Sequence, residues 1–154
     1  MAVGLLAAAP LKMPLNEVGR VQYVDTVDAP GVSSAELMKR ARTWLVGRSH
    51  LKAGDLGGAQ PHCIVVGETF EVAHTGMPVS VFYTLAFEAQ PGRFCATAGA
   101  MYVFDGSVRR PLEHYLRSDG TPRLNAWMIE SVDKQTRGLL AELHSTVLRP
   151  AKGP

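Results

Sequence analysis

The sequence predicts an α+β fold in which two helices pack on one face of an antiparallel sheet of about four strands, and three observations carry that expectation. Residues 79–90 alternate strictly, with Val79, Val81, Tyr83, Leu85, Phe87 and Ala89 on one side and Ser80, Phe82, Thr84, Ala86, Glu88 and Gln90 on the other. A strand turns successive side chains to opposite faces, so this reads as a half-buried strand. The flanking runs 63–74 and 93–105 alternate as well and are joined to it by short Gly- and Pro-containing turns, which makes a meander. Residues 33–46 and 125–148 instead repeat their apolar side chains at helical spacing. The predicted order is strand, helix, strand, strand, strand, helix.

A length of 154 residues supports one core, taken here as residues 14–148, with an apolar segment 1–13 before it and a frayed tail 149–154 after it. The content of 46% hydrophobic and 19% charged residues is that of a folded globular chain rather than a disordered one. A formal charge of +2 is too small to define a nucleic-acid-binding face, so no nucleic-acid partner is expected. No apolar run reaches the length of a membrane helix, which argues against a transmembrane span. Residues 1–9 have two readings. Val3, Leu5, Leu6 and Ala7 to Ala9 match the apolar centre and small-residue end of a shortened signal peptide, although a basic start is missing and Pro10 sits badly after the cleavage point. That reading places the protein in the periplasm or cell envelope; the other, a mildly apolar terminus, leaves it in the cytoplasm.

In chain order, Asn16 to Gly19 form a turn, and residues 20–28 make a first strand with Val21, Tyr23 and Val27 on one side and Gln22, Val24 and Thr26 on the other. Ala29, Pro30 and Gly31 end it. The helix at 33–46 opens on a capping box, Ser33 with Glu36, and carries Leu37, Met38, Ala41, Trp44 and Leu45 as one stripe, with Gly47 as its C-cap. The glycine-rich run 49–62 lacks the Gly-Lys-Ser/Thr ending of a phosphate-binding loop and reads as a connection. In 63–74, Ile64, Val66, Phe70 and Val72 share one face. Glu68 falls among them, and Gly67 beside it marks an expected bulge.

Residues 93–105 set Phe94, Ala96, Ala98, Ala100, Tyr102 and Phe104 in one register and Cys95, Thr97, Met101 and Val103 in the other. The alanines either let a helix approach closely or leave room for a ligand. Residues 106–110 read as a loop, 112–116 as a single turn after Pro111, and 125–148 as a helix capped by Asn125, about 36 Å long at 1.5 Å per residue. Its stripe is Met128, Val132, Leu139, Leu140, Leu143 and Val147, with Leu124 and Ile129 stapling its start. Cys63 and Cys95 begin the outer strands of the meander, roughly 10 Å apart at about 4.8 Å per strand step, beyond disulfide reach. Two free, largely buried thiols are therefore expected.

Chemistry-bearing motifs are sparse. His62, Cys63 and Cys95 are zinc-type ligands, but three without close spacing make no recognisable metal site, and no metal or cofactor is predicted. His50 and His74 read as loop or strand-end residues. Arg93, Arg109 and Arg110 form either a small anion patch or a solvated edge. No nucleophile elbow or triad is present, so no catalytic residue is assigned. Glu68, Phe82 and Glu113 are the weak candidates for ligand binding. The two carboxylates are either acids with a raised pKa or structural acceptors for backbone N–H groups.

With the elements placed, the chain resembles a bacterial family of unknown function with a TATA-binding-protein-like fold, found mainly in exported proteins. The resemblance rests on Gly19-Arg20-Val21-Gln22-Tyr23, Glu36-Leu37 with Trp44, Gly92-Arg93-Phe94 and Pro111-Leu112-Glu113, in that order, over residues 14–148. It implies the fold and brings no activity, cofactor or catalytic residue with it. The leading functional expectation is a non-enzymatic envelope or exported domain that binds a protein partner or a small apolar ligand. The alternative is an enzyme of unrecognised type using Glu68, Glu113 or a histidine in a cleft at one sheet end, which requires two titratable groups converging in one pocket. A third, weaker idea is nucleic-acid binding through Lys39, Arg40 and Arg42. The sequence carries no signal for oligomeric state.

Overall fold

Strand pairing sets the architecture. In the computed structural model, which describes residues 10–48, 61–74, 77–106 and 108–150, β1 (Gln22–Asp28), β2 (Cys63–His74), β3 (Met77–Gln90), β4 (Arg93–Asp105) and β5 (Val108–Pro111) form one antiparallel sheet. Its order is β1-β4-β3-β2, with β5 also on β4. β1 covers the first half of one edge of β4, from Asp28↔Arg93 to Gln22↔Gly99, and β5 covers the second half, from Tyr102↔Pro111 to Asp105↔Val108. Helix α1 (Ser34–Arg48) precedes the meander; a 3-10 turn (Leu112–Tyr115) and α2 (Ala126–Leu148) follow it. The strand β5 corrects the loop expected at 106–110. Gly106, at φ 63°, reverses the chain so that Val108 to Pro111 pair an edge that would otherwise present bare N–H and C=O groups.

All six odd-numbered side chains from Val79 to Ala89 are buried, as the alternation predicts, and form one core with the stripes of both helices. Across the strands Phe87 faces Ile64 and Ala96, and Leu85 faces Ala98. Ala96 and Ala98 are fully buried, so the small residues of β4 serve close packing. The Phe87 and Phe94 rings stack with centroids 5.2 Å apart.

The expected bulge is not at Gly67, which pairs in register with Thr84. It lies on β4, where Ala100 and Met101 together oppose Tyr83, between the pairs Phe82↔Tyr102 and Thr84↔Gly99. An extra residue shifts every later side chain to the other face. The buried row of β4 is therefore Phe94, Ala96, Ala98, Met101 and Val103, while Tyr102 and Phe104 turn to the open face, a correction to the register read from alternation. Met101 and Val103 gain a place in the core.

Helix ends differ in detail from expectation. Ser33 Oγ accepts the Glu36 N–H at 3.2 Å, but the Glu36 carboxylate takes Arg40 Nε at 2.9 Å, so only half of the capping box forms. α1 runs through Gly47 to Arg48, which rules Gly47 out as its C-cap. Arg48 lies over the Trp44 ring and pairs with Glu142 on α2 at 2.7 Å. Arg40 donates to the Val147 carbonyl at 2.9 Å, so this residue braces the two helices and is not free for nucleic acid. Asn125 occupies the N-cap of α2 in the left-handed region with no side-chain cap bond. Leu124 is 41% exposed, whereas Ile129 is fully buried. Gly138 is exposed on α2 with open space where a Cβ would stand. Gly138→Ala is expected to raise stability by about 1 kcal/mol, read as a higher urea midpoint at unchanged slope.

Cys63 and Cys95 are free thiols on either side of Glu88, and being on the open face they are half-buried rather than largely buried. The readings of residues 1–9, of His50 in the 49–60 connection, of the 75–76 turn, of the His74 side chain and of the tail beyond residue 150 lie outside the described residues. Among the described residues no helix is long and apolar enough to cross a membrane.

Candidate functional site

The bulge also shapes the open face. Ala100 is held at φ 49°, a conformation that costs a non-glycine residue roughly 1 to 2 kcal/mol, and such strain is concentrated at functional positions. Past it, Tyr102 stands opposite Phe82 on β3 and Pro111 on β5. Arg109 lies over the Tyr102 ring, its guanidinium carbon 4.0 Å from the centroid, a cation–π contact. Phe82 is 41% exposed. Thr84 pairs with Gly67 on one side and Gly99 on the other, so a low floor runs beside these aromatic walls. The result is an open cleft of about 480 Å³.

Ala100 and Tyr102 also line a second cleft, of about 240 Å³, whose other walls include Asn16, Arg20, Gln22 and Glu113. The 3-10 turn brings Glu113 to β1, where its Oε1 accepts the Val21 N–H at 2.9 Å. Its Oε2 is buried with no hydrogen-bond partner, and Arg20 Nη1 stands 4.0 Å away. The Asn16 side chain accepts the Val18 and Arg20 N–H groups, and that turn presents Arg20.

All three predicted candidates border this two-part groove, Phe82 and Glu68 at the larger cleft and Glu113 at the smaller. By alternation the Glu68 side chain belongs to the helix-side row of Ile64, Val66 and Val72, opposite Tyr83, and its Oε1 is buried and unpartnered. Of the two readings of the arginines, the solvated edge fits and the anion patch does not: all three are exposed, Arg93 pairs with Asp28 at 3.1 Å, Arg110 meets His114 at 3.1 Å and Arg109 is on Tyr102. Among the described residues no three His, Cys, Asp or Glu side chains are grouped to hold a metal.

Sequence reasoning passed over a second constellation. Asp25 lies on the helix side of β1 and meets His144 Nδ1 of α2 at 2.8 Å, beside a groove of about 380 Å³ that Tyr23 and Leu140 help to line. Tyr23 donates to Asp133 Oδ1 at 2.6 Å, and Arg137 bonds both oxygens of that carboxylate. The signal was present: a carboxylate in the buried row Val21, Tyr23, Asp25, Val27 needs a partner.

The tyrosines give this side a pH response. Burial, and secondly the Glu68 carboxylate, push the Tyr83 hydroxyl from 10.0 up to about 12, and burial with the Asp133 hydrogen bond raises Tyr23 further still. The folded state thus keeps protons that the unfolded chain releases. The stabilisation is complete below about pH 10 and is lost as pH climbs through 10 to 12. Denaturant midpoints are expected to fall across that window, and Tyr83→Phe to shallow the fall; an unchanged slope contradicts the assignment.

In class, the molecule is an α+β domain of TATA-binding-protein-like fold with one sheet face covered by two helices and the other open. It is similar to a TBP-like protein from Parabacteroides distasonis, at a TM-score of 0.73 and 13% identity, covering 90% of this chain and 99% of that one. It is also similar to a DUF4468 family protein from Bacteroides ovatus, at a TM-score of 0.66 and 13% identity, covering 92% and 94%. At that identity the likeness is one of fold. No family model and no curated protein matches the sequence.

Proposed function

We propose that the protein is a non-enzymatic binding domain whose open sheet face holds a small ligand with an apolar or aromatic body. The observation that carries this reading is the strained Ala100 bulge, which sets Tyr102 between two clefts and opposite the exposed Phe82. The site lies on the open face, because Ala96 and Ala98 are consumed by packing under the helices while Ala100, the third of the β4 alanines, lines the open-face clefts. The apolar run at 1–9 supports an exported or envelope location, and both structural neighbours are bacterial.

An aromatic and aliphatic fragment set, screened by amide chemical-shift changes, tests the reading. Hits are expected to move Gly67, Thr84 and Tyr102, and Tyr102→Ala to weaken them about tenfold while the fold persists. Shifts confined to the β1–α2 groove would overturn it. That outcome would favour the enzyme alternative, for which the Asp25–His144 pair is the specific observation: with Nδ1 held by a carboxylate, Nε2 is left to accept a proton.

A further inference from the structure

The smaller cleft carries a chemical signature that names a ligand class, resting on the open-face binding reading above. We infer that it recognises the α-ammonium and α-carboxylate of a free amino acid, the ammonium at Glu113 and the carboxylate at Arg20, with the side chain directed past Ala100 towards Tyr102 and Phe82.

Glu113 Oε2 is a buried acceptor with nothing to accept from, and a buried polar atom left unpaired is costly unless a donor reaches it. A ligand ammonium supplies that donor. Arg20 is the nearest cation, yet at 4.0 Å it is beyond hydrogen-bond length, and its side chain is 59% exposed, free to swing aside and meet an incoming carboxylate. The pair therefore presents one negative and one positive group across a short gap. An ammonium and a carboxylate on the same carbon present the complementary pair.

Charge balance favours a zwitterion: Arg20 faces Glu113 across the smaller cleft, so a lone amine leaves Arg20 and a lone carboxylate leaves Glu113 without a counter-charge, whereas a zwitterion matches both. Size agrees, since about 240 Å³ lies below the usual range for drug-sized ligands. Because Ala100 and Tyr102 are shared with the larger cleft, a side chain leaving the first enters a space walled by aromatic rings. An aromatic amino acid is thus preferred over glycine.

Titration of the full chain with L-phenylalanine, glycine, N-acetyl-L-phenylalanine, L-phenylalaninamide and p-cresol, followed by calorimetry and amide shifts, tests this. L-Phenylalanine is expected to bind with shifts at Val21, Ala100 and Glu113. Loss of the ammonium charge in the acetyl compound, or of the carboxylate in the amide, is expected to weaken binding about tenfold or more each. Glu113→Gln keeps an acceptor for the Val21 N–H and should reproduce the first loss; Arg20→Met leaves that bond untouched and should reproduce the second. Equal binding of L-phenylalanine and its two blocked forms overturns the inference. So does binding of p-cresol at Tyr102 with none of L-phenylalanine, a result that leaves the binding domain itself standing. No shift from any of the five overturns the inference, and the wider fragment screen then decides the broader reading separately.

Discussion

Phe87→Ala is expected to lower the free energy of unfolding by about 3–5 kcal/mol, the usual cost of removing a buried phenylalanine. Phe87 is fully buried in the second half of β3, faces Ile64 and Ala96 across the neighbouring strands and stacks on Phe94. Alanine next to Ala96 leaves a void that rigid strands on both sides cannot close, so the full transfer and cavity costs apply. Against a typical domain stability of roughly 5–15 kcal/mol the loss is a large fraction. In urea it should move the midpoint by about 2 M at an ordinary slope. Phe82→Ala, five residues earlier on the opposite face, serves as the control and is expected to cost less than about 1 kcal/mol. Equal losses at the two positions would mean that the faces of β3 are assigned wrongly.

Gly120→Ala is expected to cost about 3 kcal/mol, for a different reason. Gly120 sits at φ 87°, and a Cβ there would meet the Met13 carbonyl oxygen at 2.5 Å and its nitrogen at 3.4 Å. Those are backbone atoms, and they cannot yield as a side-chain tip would. The Met13 N–H donates to the Gly120 carbonyl at 2.9 Å, and the Met13 side chain lies in the core. Relieving the clash therefore breaks that bond and withdraws Met13 from the core. Gly106→Ala isolates the backbone part, since Gly106 has φ 63° with nothing within 4 Å of its Cβ position, and is expected to cost only about 1 kcal/mol. Alongside the stability loss, proteolysis at Lys12 should accelerate in Gly120→Ala. If the two glycine variants lose equal stability, the close approach of residues 13 and 120 is refuted.

These positions show how far the sequence could be read. Residues 63–74 and 93–105 were bounded correctly because alternation and the turn residues beside them are local signals. The face of β3 was legible for the same reason. β5 was not, since Val108 to Pro111 carry no alternation of their own and become a strand only because β4 offers an open edge. The bulge was displaced to Gly67 because an interior glycine is the visible cue, whereas Ala100 adopts its left-handed conformation under the demand that Met101 and Val103 reach the core. Glu113 was singled out as a carboxylate following Pro111 and Leu112, but only folding brings it to the Val21 N–H, 92 residues earlier. Asp25 and His144, 119 residues apart, were invisible as a pair.

By itself the sequence determined the kinds and order of the six longer elements and which of their residues are apolar enough to be buried, because those follow from the periodicity of neighbouring side chains. The tertiary structure decided which edge each strand meets, where β4 takes its extra residue, and hence that Tyr102 rather than Met101 faces the open side. Those choices depend on contacts between distant segments competing for one core and one set of backbone hydrogen bonds. The groove at Ala100 is the product of that competition.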